Sequence, residues 1–412
     1  MYTPDSLVSV QPFTQQADGE EVIIGRVDTG VFLAVPAEAV ELLDELARGR
    51  TVGEVSDSYL RKYGETPDLE DFLQILEAKG IVKPLVPGED VDEAAADAAT
   101  PRQGPRVRYH FSNFPQRLAR LIFSPPAFAF FFVIIALAAA TAIRNPSLLP
   151  RTRDLYFTDR RTITLTLLIL SSYATIFIHE FGHLVAARAV GINSRMGISH
   201  RLWYLVAETD LTGLWSVPKR QRYLPMLAGT MVDLLSGSLL LLLIFAREQG
   251  WVALPLLALR VARGMMFTHM MRIFWQFFLF VRTDFYYVIA SLFNCRNLLK
   301  DTEGFLRNLL ARVLPFIRTV DQSSIPESER RVIRFFSILW VAGHVLAVVI
   351  LFTVTLPLAG MYIRNIGLTF RRGYSTSPSD FADALLLSAY TLIPLSVGLV
   401  LWLRGLARPA RT

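Results

Sequence analysis

The sequence predicts an α-helical polytopic membrane protein of about six spans, preceded by a small N-terminal α+β, winged-helix-like domain. Three observations predict it. Hydrophobic residues make up 52% of the 412 residues, and mean hydropathy is +0.38. Those apolar residues are clustered: from about residue 124 onward, runs of roughly 20 recur, each long enough to cross a bilayer core. The first hundred residues, by contrast, have the composition of an ordinary soluble domain. We therefore expect a domain over 1–84, a linker over 85–105, and a membrane domain over 106–412.

Within the first domain, Val22-Ile23-Ile24 and Val31-Phe32-Leu33 flank the turn signal Asp28-Thr29-Gly30, which reads as a hairpin. Three short helices follow. The first runs from about Pro36 to Arg48, with Val40, Leu43 and Leu46 on one face and Gly49 ending it. The second opens on Thr51, where Glu54 completes a capping box, and stops at Gly64. The third is capped by Asp68, buries Leu69, Phe72, Leu73 and Leu76, and ends at Gly80. Ile81-Val82 can return as a short strand. From Pro84 to Gly104 the chain is rich in Pro, Ala, Asp and Glu and has no aromatic residue, so it cannot bury a core and reads as a linker.

We place spans at about 124–143, 163–190, 223–246, 264–282, 333–358 and 384–404. The fourth is the weakest, because Arg260 and Arg263 precede it and Arg272 lies inside it. Loops after the second and fourth spans carry most of the basic residues, among them Arg188, Arg195, Arg220, Arg222, Arg307, Arg312, Arg330 and Arg331. That bias places them, with the N-terminal domain, in the cytoplasm. Arg144, Arg151, Arg153, Arg160 and Arg161 fall on the other side and weaken the bias. The N-terminus has no basic segment followed by an apolar run, so no cleavable signal is expected. The expectation is a multi-pass protein of the cell membrane. The net charge of +6 is then topology-setting loop charge rather than a nucleic-acid footprint. The single cysteine, Cys295, excludes an internal disulfide and a cysteine-based metal cluster.

The chemistry lies in His179-Glu180-Phe181-Gly182-His183. Histidines four residues apart share one helix face, one turn apart, so both can hold one zinc ion. Glu180 projects beside them, placed to take a proton from the attacking water and return it to the leaving amine. The chain has only six histidines, and with so few the pattern arises by chance in roughly one such sequence in a few hundred. The motif also sits in an otherwise apolar run, Leu165 to Val190, where ionisable groups are costly and mark function. A catalytic zinc takes three protein ligands. Asp284 and Asp233 are the two candidates for the third, each within or at the end of an apolar span. His269, Arg272 and Gln276 share a face of the fourth span at spacings of three and four. They are candidates for the substrate path or the oxyanion, or for a hydrogen-bonded network. Leu202 to Val206 reads as a strand between the second and third spans.

Residues 163–300 resemble the site-2 protease family of intramembrane zinc metallopeptidases. The matching pieces are His179-Glu180-Phe181-Gly182-His183 and Asp284-Phe285-Tyr286-Tyr287. The resemblance implies that Asp284 is the third ligand, and that Gly229-x-x-x-Asp233 stands where the family carries a substrate-binding Asn. It also implies a hairpin over 191–222 that dips toward the site and holds substrate as an added strand. Phe285 replaces the family's glycine, and Phe278-Leu279 its Asn-Pro. Residues 20–84 are similar to the PqqD-like domain, which binds leader peptides. The similarity lies in Thr51-Val52-Gly53-Glu54-Val55, Tyr63-Gly64 and Leu76-Glu77-Ala78-Lys79-Gly80-Ile81-Val82. The third helix presents Asp68, Glu70, Asp71 and Glu77, an acidic face unsuited to phosphate contact.

Together these features imply a zinc metalloendopeptidase, a hydrolase of the bilayer that processes a ribosomally made precursor peptide, with peptide-modifying enzymes as further partners. Regulated intramembrane proteolysis of a membrane-bound regulator is the alternative. A degenerate, non-catalytic membrane chaperone or immunity protein is the non-enzymatic one.

Overall fold

In the computed structural model of the chain, the residues described are 2–19, 21–85, 109–111, 113–155, 161–201, 204–295, 297–323 and 325–406. The expected linker, apart from Leu85, therefore lies outside the described residues. The protein is mostly helical with a small N-terminal strand domain. Contacts divide it into two compact units.

The first unit comprises Met1–Asn113, Val190–Arg195 and Asp210–Tyr223. Its strands are β1 (Val8–Val10), β2 (Thr14–Asp18), β3 (Glu21–Arg26), β4 (Val31–Pro36), β5 (Val82–Pro84) and the two-residue β6 (Tyr109–His110). The hairpin read from residues 20–36 is β3–β4, paired from Arg26↔Val31 to Glu21↔Pro36. The three helices are α1 (Ala37–Ala47), α2 (Val52–Tyr63) and α3 (Leu69–Ala78). Thr51 and Glu54 form the capping box of α2, and Asp68 caps α3 by accepting from the Asp71 amide. Leu43, Leu46, Val55, Leu73, Leu76 and Ile81 are essentially inaccessible and form the core with Ile24 and Val35.

Besides the short β6, two strands have no counterpart in the sequence reading. β1 pairs antiparallel with β5, joining residues more than seventy positions apart. β2, whose Thr-Gln-Gln-Ala-Asp sequence does not alternate, lies along β3 and makes it a central strand. At the end of β2, Asp18 meets Arg222 at 2.9 Å, with the guanidinium side chain 1% exposed. Arg222 also donates to the Val217 carbonyl and lies over the Trp215 ring. Stranding either charge by removing its partner costs about 3 kcal/mol or more. The segment 210–223, which follows two predicted spans in sequence, is thus part of the same folded unit as the N-terminal domain.

The second unit comprises Phe114–Ala189, Met196–Thr209 and Leu224–Thr412. Its helices are α4 (Gln116–Ile122), α5 (Pro125–Arg144), α6 (Arg161–Ala189), α7 (Lys219–Glu248, which begins in the first unit), α8 (Leu256–Trp275) and α9 (Asp284–Leu292). They continue with α10 (Leu298–Ala311), α11 (Glu327–Ile350), α12 (Leu356–Arg372) and α13 (Pro378–Leu406). Strands β7 (Arg195–Arg201) and β8 (Tyr204–Asp210) are hydrogen-bonded neighbours. Residues 204–206 of the predicted strand belong to β8, and 202–203 lie outside the described residues.

Among the described residues, four helices are long and apolar enough to cross a membrane: Pro125–Arg144, Thr162–Ala189, Lys219–Glu248 and Glu327–Thr353. They correspond to the first, second, third and fifth predicted spans. The fourth, expected over 264–282, differs in its bounds. The helix there is α8, which starts behind Pro255 and ends at Trp275, followed by a 3-10 turn over Leu279–Val281. It is not among the four apolar helices. Its arginines are accommodated by partners: Arg263 pairs with Glu248 at 2.7 Å, and Arg272 donates to Thr175 at 2.6 Å. The sixth expected span falls within α13. Helix α12 occupies residues read as a loop; it continues α11 through a π turn at Leu351–Thr355.

Candidate metal centre

The site is built where α6 and α7 cross, and every residue described here belongs to the second unit. Gly182 sets the crossing. A Cβ on it would lie 2.8 Å from Val232 Cγ2 and 3.3 Å from the Ala228 carbonyl, so only glycine lets the helices approach this closely. The two motif histidines then face α7, which presents Pro225, Gly229 and Asp233 to them. These three are spaced four apart and so form one stripe.

The stripe is matched to the histidines residue by residue. His183 Nδ1 is 2.6 Å from the Pro225 carbonyl, and His179 Nδ1 is 2.8 Å from Asp233 Oδ2. Both partners accept, so each Nδ1 carries a proton, and in the neutral ring each Nε2 then keeps its lone pair. The two Nε2 atoms lie 3.2 Å apart. His179 and His183 are buried, 6% and 3% exposed. Gly229 sits between their contacts: a Cβ there would collide with both Nε2 atoms. The missing side chain is the space in front of the lone pairs.

Asp284 completes the group. Its Oδ2 is 3.4 Å from each Nε2. The chain reaches it through a left-handed residue, Arg282 at φ 57, after which Asp284 begins α9. Gln276, at the end of α8, clamps it twice. The Gln276 Nε2 donates to Asp284 Oδ2 at 3.1 Å, and its Oε1 accepts from the Asp284 amide at 3.0 Å. Thr230 donates to the same carboxylate oxygen, and Thr283 donates to the Gln276 carbonyl. Phe285 occupies the first turn of α9 with its ring edge-on to Phe277. The backbone bend is made at Arg282, so position 285 has no need of a glycine.

Asp233, the other candidate ligand, stands behind His179 on its Nδ1 side. It is 1% exposed and is reached by His269 Nδ1 at 3.0 Å and Arg272 Nε at 3.4 Å. His269, Arg272 and Asp233 therefore form one polar cluster that braces His179. Gln276, read with them from helical spacing, turns instead to Asp284. Glu180 lies next to the pair in sequence; its Oε2 accepts from the Thr209 amide at 3.0 Å, and its own carbonyl accepts from the Thr209 hydroxyl at 2.8 Å. Strand β8 thus runs beside the motif helix.

His179, His183 and Asp284 could hold a metal ion: one ligand atom from each lies within 4.8 Å of the others. Pro225, Thr209 and Thr230 were not singled out as supporting residues by sequence reasoning, and Gly229 was named only as part of Gly229-x-x-x-Asp233. A proline inside an apolar helix, with a glycine one turn on, was the available signal for Pro225 and Gly229.

Replacing Gly229 by Ala is expected to lower metal affinity sharply without unfolding the helix. Alanine favours a helix by about 1 kcal/mol over glycine, while its methyl would contact both Nε2 atoms, whose rings are pinned from behind. Metal content after dialysis, beside a thermal melt, checks this; wild-type occupancy would mean the rings move aside freely.

Comparison of the chain with known protein families, with characterised proteins and with solved structures gives no match.

Proposed function

We propose that the protein is a membrane-embedded zinc metallopeptidase that cuts a precursor peptide delivered by its N-terminal domain. The observation that carries this reading is the convergence of His179 Nε2, His183 Nε2 and Asp284 Oδ2, with Glu180 adjoining. Ligands about 2.0–2.1 Å from a tetrahedral zinc stand roughly 3.3 Å apart; here the separations are 3.2, 3.4 and 3.4 Å. Two imidazoles and one carboxylate are the donor set of open, hydrolytic zinc sites. A carbonyl and a carboxylate behind the rings supply the outer hydrogen bonds such ligands need.

When bound, the ion would polarise the scissile carbonyl and acidify water. The rest falls to side chains of this chain. Glu180 accepts the proton of the attacking water and passes it to the leaving amine nitrogen. Asp233, with His269 and Arg272 around it, is a positioning group that holds the His179 tautomer. Strand β8, already bonded to Glu180 through Thr209, is placed to lay an extended peptide alongside the motif, which exposes peptide bonds that a helix would shield.

The N-terminal domain supplies recruitment. β4 forms an outer edge of its sheet, and a cavity of about 180 Å³ opens among Ala39, Leu42, Tyr59, Leu69 and Phe72. An extended leader could add to the edge and place an apolar side chain there, which would raise the local substrate concentration at the membrane site.

The test uses the full chain, purified with zinc, and precursor peptides with and without their leaders. Leader-bearing peptide should be cleaved and leaderless peptide cleaved far more slowly. Equal cleavage of both would remove the recruitment role. No cleavage of any peptide by zinc-loaded protein would remove the peptidase reading.

A further inference from the structure

A second site, unrelated to the metal centre, lies at the polar end of α11. A cavity of about 790 Å³ opens between α10, α11 and the segment joining them, and Arg312, Arg330 and Arg334 line it against a single acidic residue, Glu327. Its floor is apolar, made by Phe305, Leu309 and Ile333.

The cavity wall is a built one. Arg330 donates to the carbonyls of Gln322, Ser323 and Ile325 at 2.8–3.1 Å, which fixes the connecting segment as a rim. Gln322 ties that rim to α10 through the Asp301 carbonyl at 2.7 Å. Arg330 is thus consumed in holding the rim. Arg334 uses only its Nε, on the Arg330 carbonyl, and Arg312 has no side-chain partner among the described residues. Two guanidinium groups on the lining therefore keep donors that no described residue takes up.

What surrounds them indicates its nature. The cavity lies at the start of a candidate membrane span, Glu327–Thr353. The helix turns apolar just beyond Arg334, where Phe335 and Ile338 are 63% and 66% exposed. In the segment that follows Arg312, beside the cavity rather than in its lining, Val313 and Phe316 are 77% and 80% exposed. Cations at the start of a candidate span, with exposed apolar side chains before and after them in the chain, fit a ligand that is anionic at one end and hydrocarbon at the other. We propose that this cavity binds the phosphate of an anionic phospholipid through Arg312 and Arg334, with the acyl chains lying against Val313, Phe316 and Phe335.

The test is native mass spectrometry of the full chain. The protein is exchanged into mixtures of phosphatidylglycerol and phosphatidylcholine with the same acyl chains, and inorganic phosphate serves as competitor. Wild type should retain phosphatidylglycerol preferentially. Arg312→Gln with Arg334→Gln should reduce that preference about thirtyfold, the factor implied by about 1 kcal/mol for each basic residue at a membrane surface. Arg312→Lys, which keeps the charge, should retain most of it, and Arg331→Gln, outside the cavity, all of it. A thermal melt of each variant separates lost binding from lost fold. Equal retention of both lipids by wild type, or an equal loss in Arg331→Gln, would overturn the proposal. Displacement of the lipid by inorganic phosphate would assign the arginines to a free anion and overturn it as a lipid site.

Discussion

Glu180→Gln is expected to lower peptide hydrolysis by roughly a hundred- to ten-thousandfold, the contribution typical of a general base, while metal content stays at the wild-type level. The two halves of this expectation come from different observations. Glu180 is not one of the three groups whose ligand atoms converge, so a change there leaves the metal-binding set whole. Its carboxylate is held by the Thr209 amide, and an amide oxygen at the same place can accept that bond, so the substitution leaves β8 beside the helix. Only proton transfer is removed. Metal analysis and a cleavage assay on the same preparation would check it. Cleavage near the wild-type rate would mean that another group activates water, and the role given to Glu180 would fall.

The part of the site that could be read from the sequence was the part encoded by local periodicity. Histidines at 179 and 183 share a helix face whatever surrounds them, and the structure puts their Nε2 atoms 3.2 Å apart. Asp284 lies about a hundred residues away, and no spacing rule reaches that far. Periodicity left it level with Asp233 because both are carboxylates in apolar surroundings. The family resemblance favoured Asp284, and the geometry separates the two by which nitrogen of His179 each one meets, Nδ1 for Asp233 and Nε2 for Asp284. Gly229 was named only through its resemblance motif, and its role at the histidines was hidden for a related reason: its contribution is an absent side chain, which acquires meaning only when a second helix faces it.

The same distinction runs through the fold. Thr51 with Glu54, and Asp68, marked the starts of α2 and α3 because caps are local chemistry. β1 could not be seen, since three residues gain strand character only by pairing with β5 across the whole domain. β2 was hidden by its polar sequence; it is held by β3 on one side and by the buried Asp18–Arg222 pair at its end. The helix at the fourth predicted span runs from Leu256 to Trp275, earlier than 264–282, because apolar counting began it only after Arg260 and Arg263. Glu248 and Thr175 satisfy arginines that would otherwise have no place in such a helix.

The two carboxylates around His179 should separate cleanly on substitution. Asp284→Ala removes one of the three groups that could hold a metal; on the proposed reading the protein should lose its metal on dialysis, since two imidazoles alone would leave a zinc site short of its usual protein ligands. Asp233→Asn should keep the metal at saturation but bind it about ten- to a hundredfold more weakly, the usual cost of altering a group behind a ligating histidine. The asparagine is chosen over alanine because Asp233 is 1% exposed and meets His179, His269 and Arg272. Alanine would strand all three and confound metal loss with unfolding. Asparagine keeps an acceptor and the volume while removing the charge that favours the His179 tautomer. Zinc titrations of both variants, beside thermal melts, read the difference directly. If Asp233→Asn lost the metal and Asp284→Ala held it, the ligand would be Asp233, and the convergence on Asp284 Oδ2 would not be the metal site.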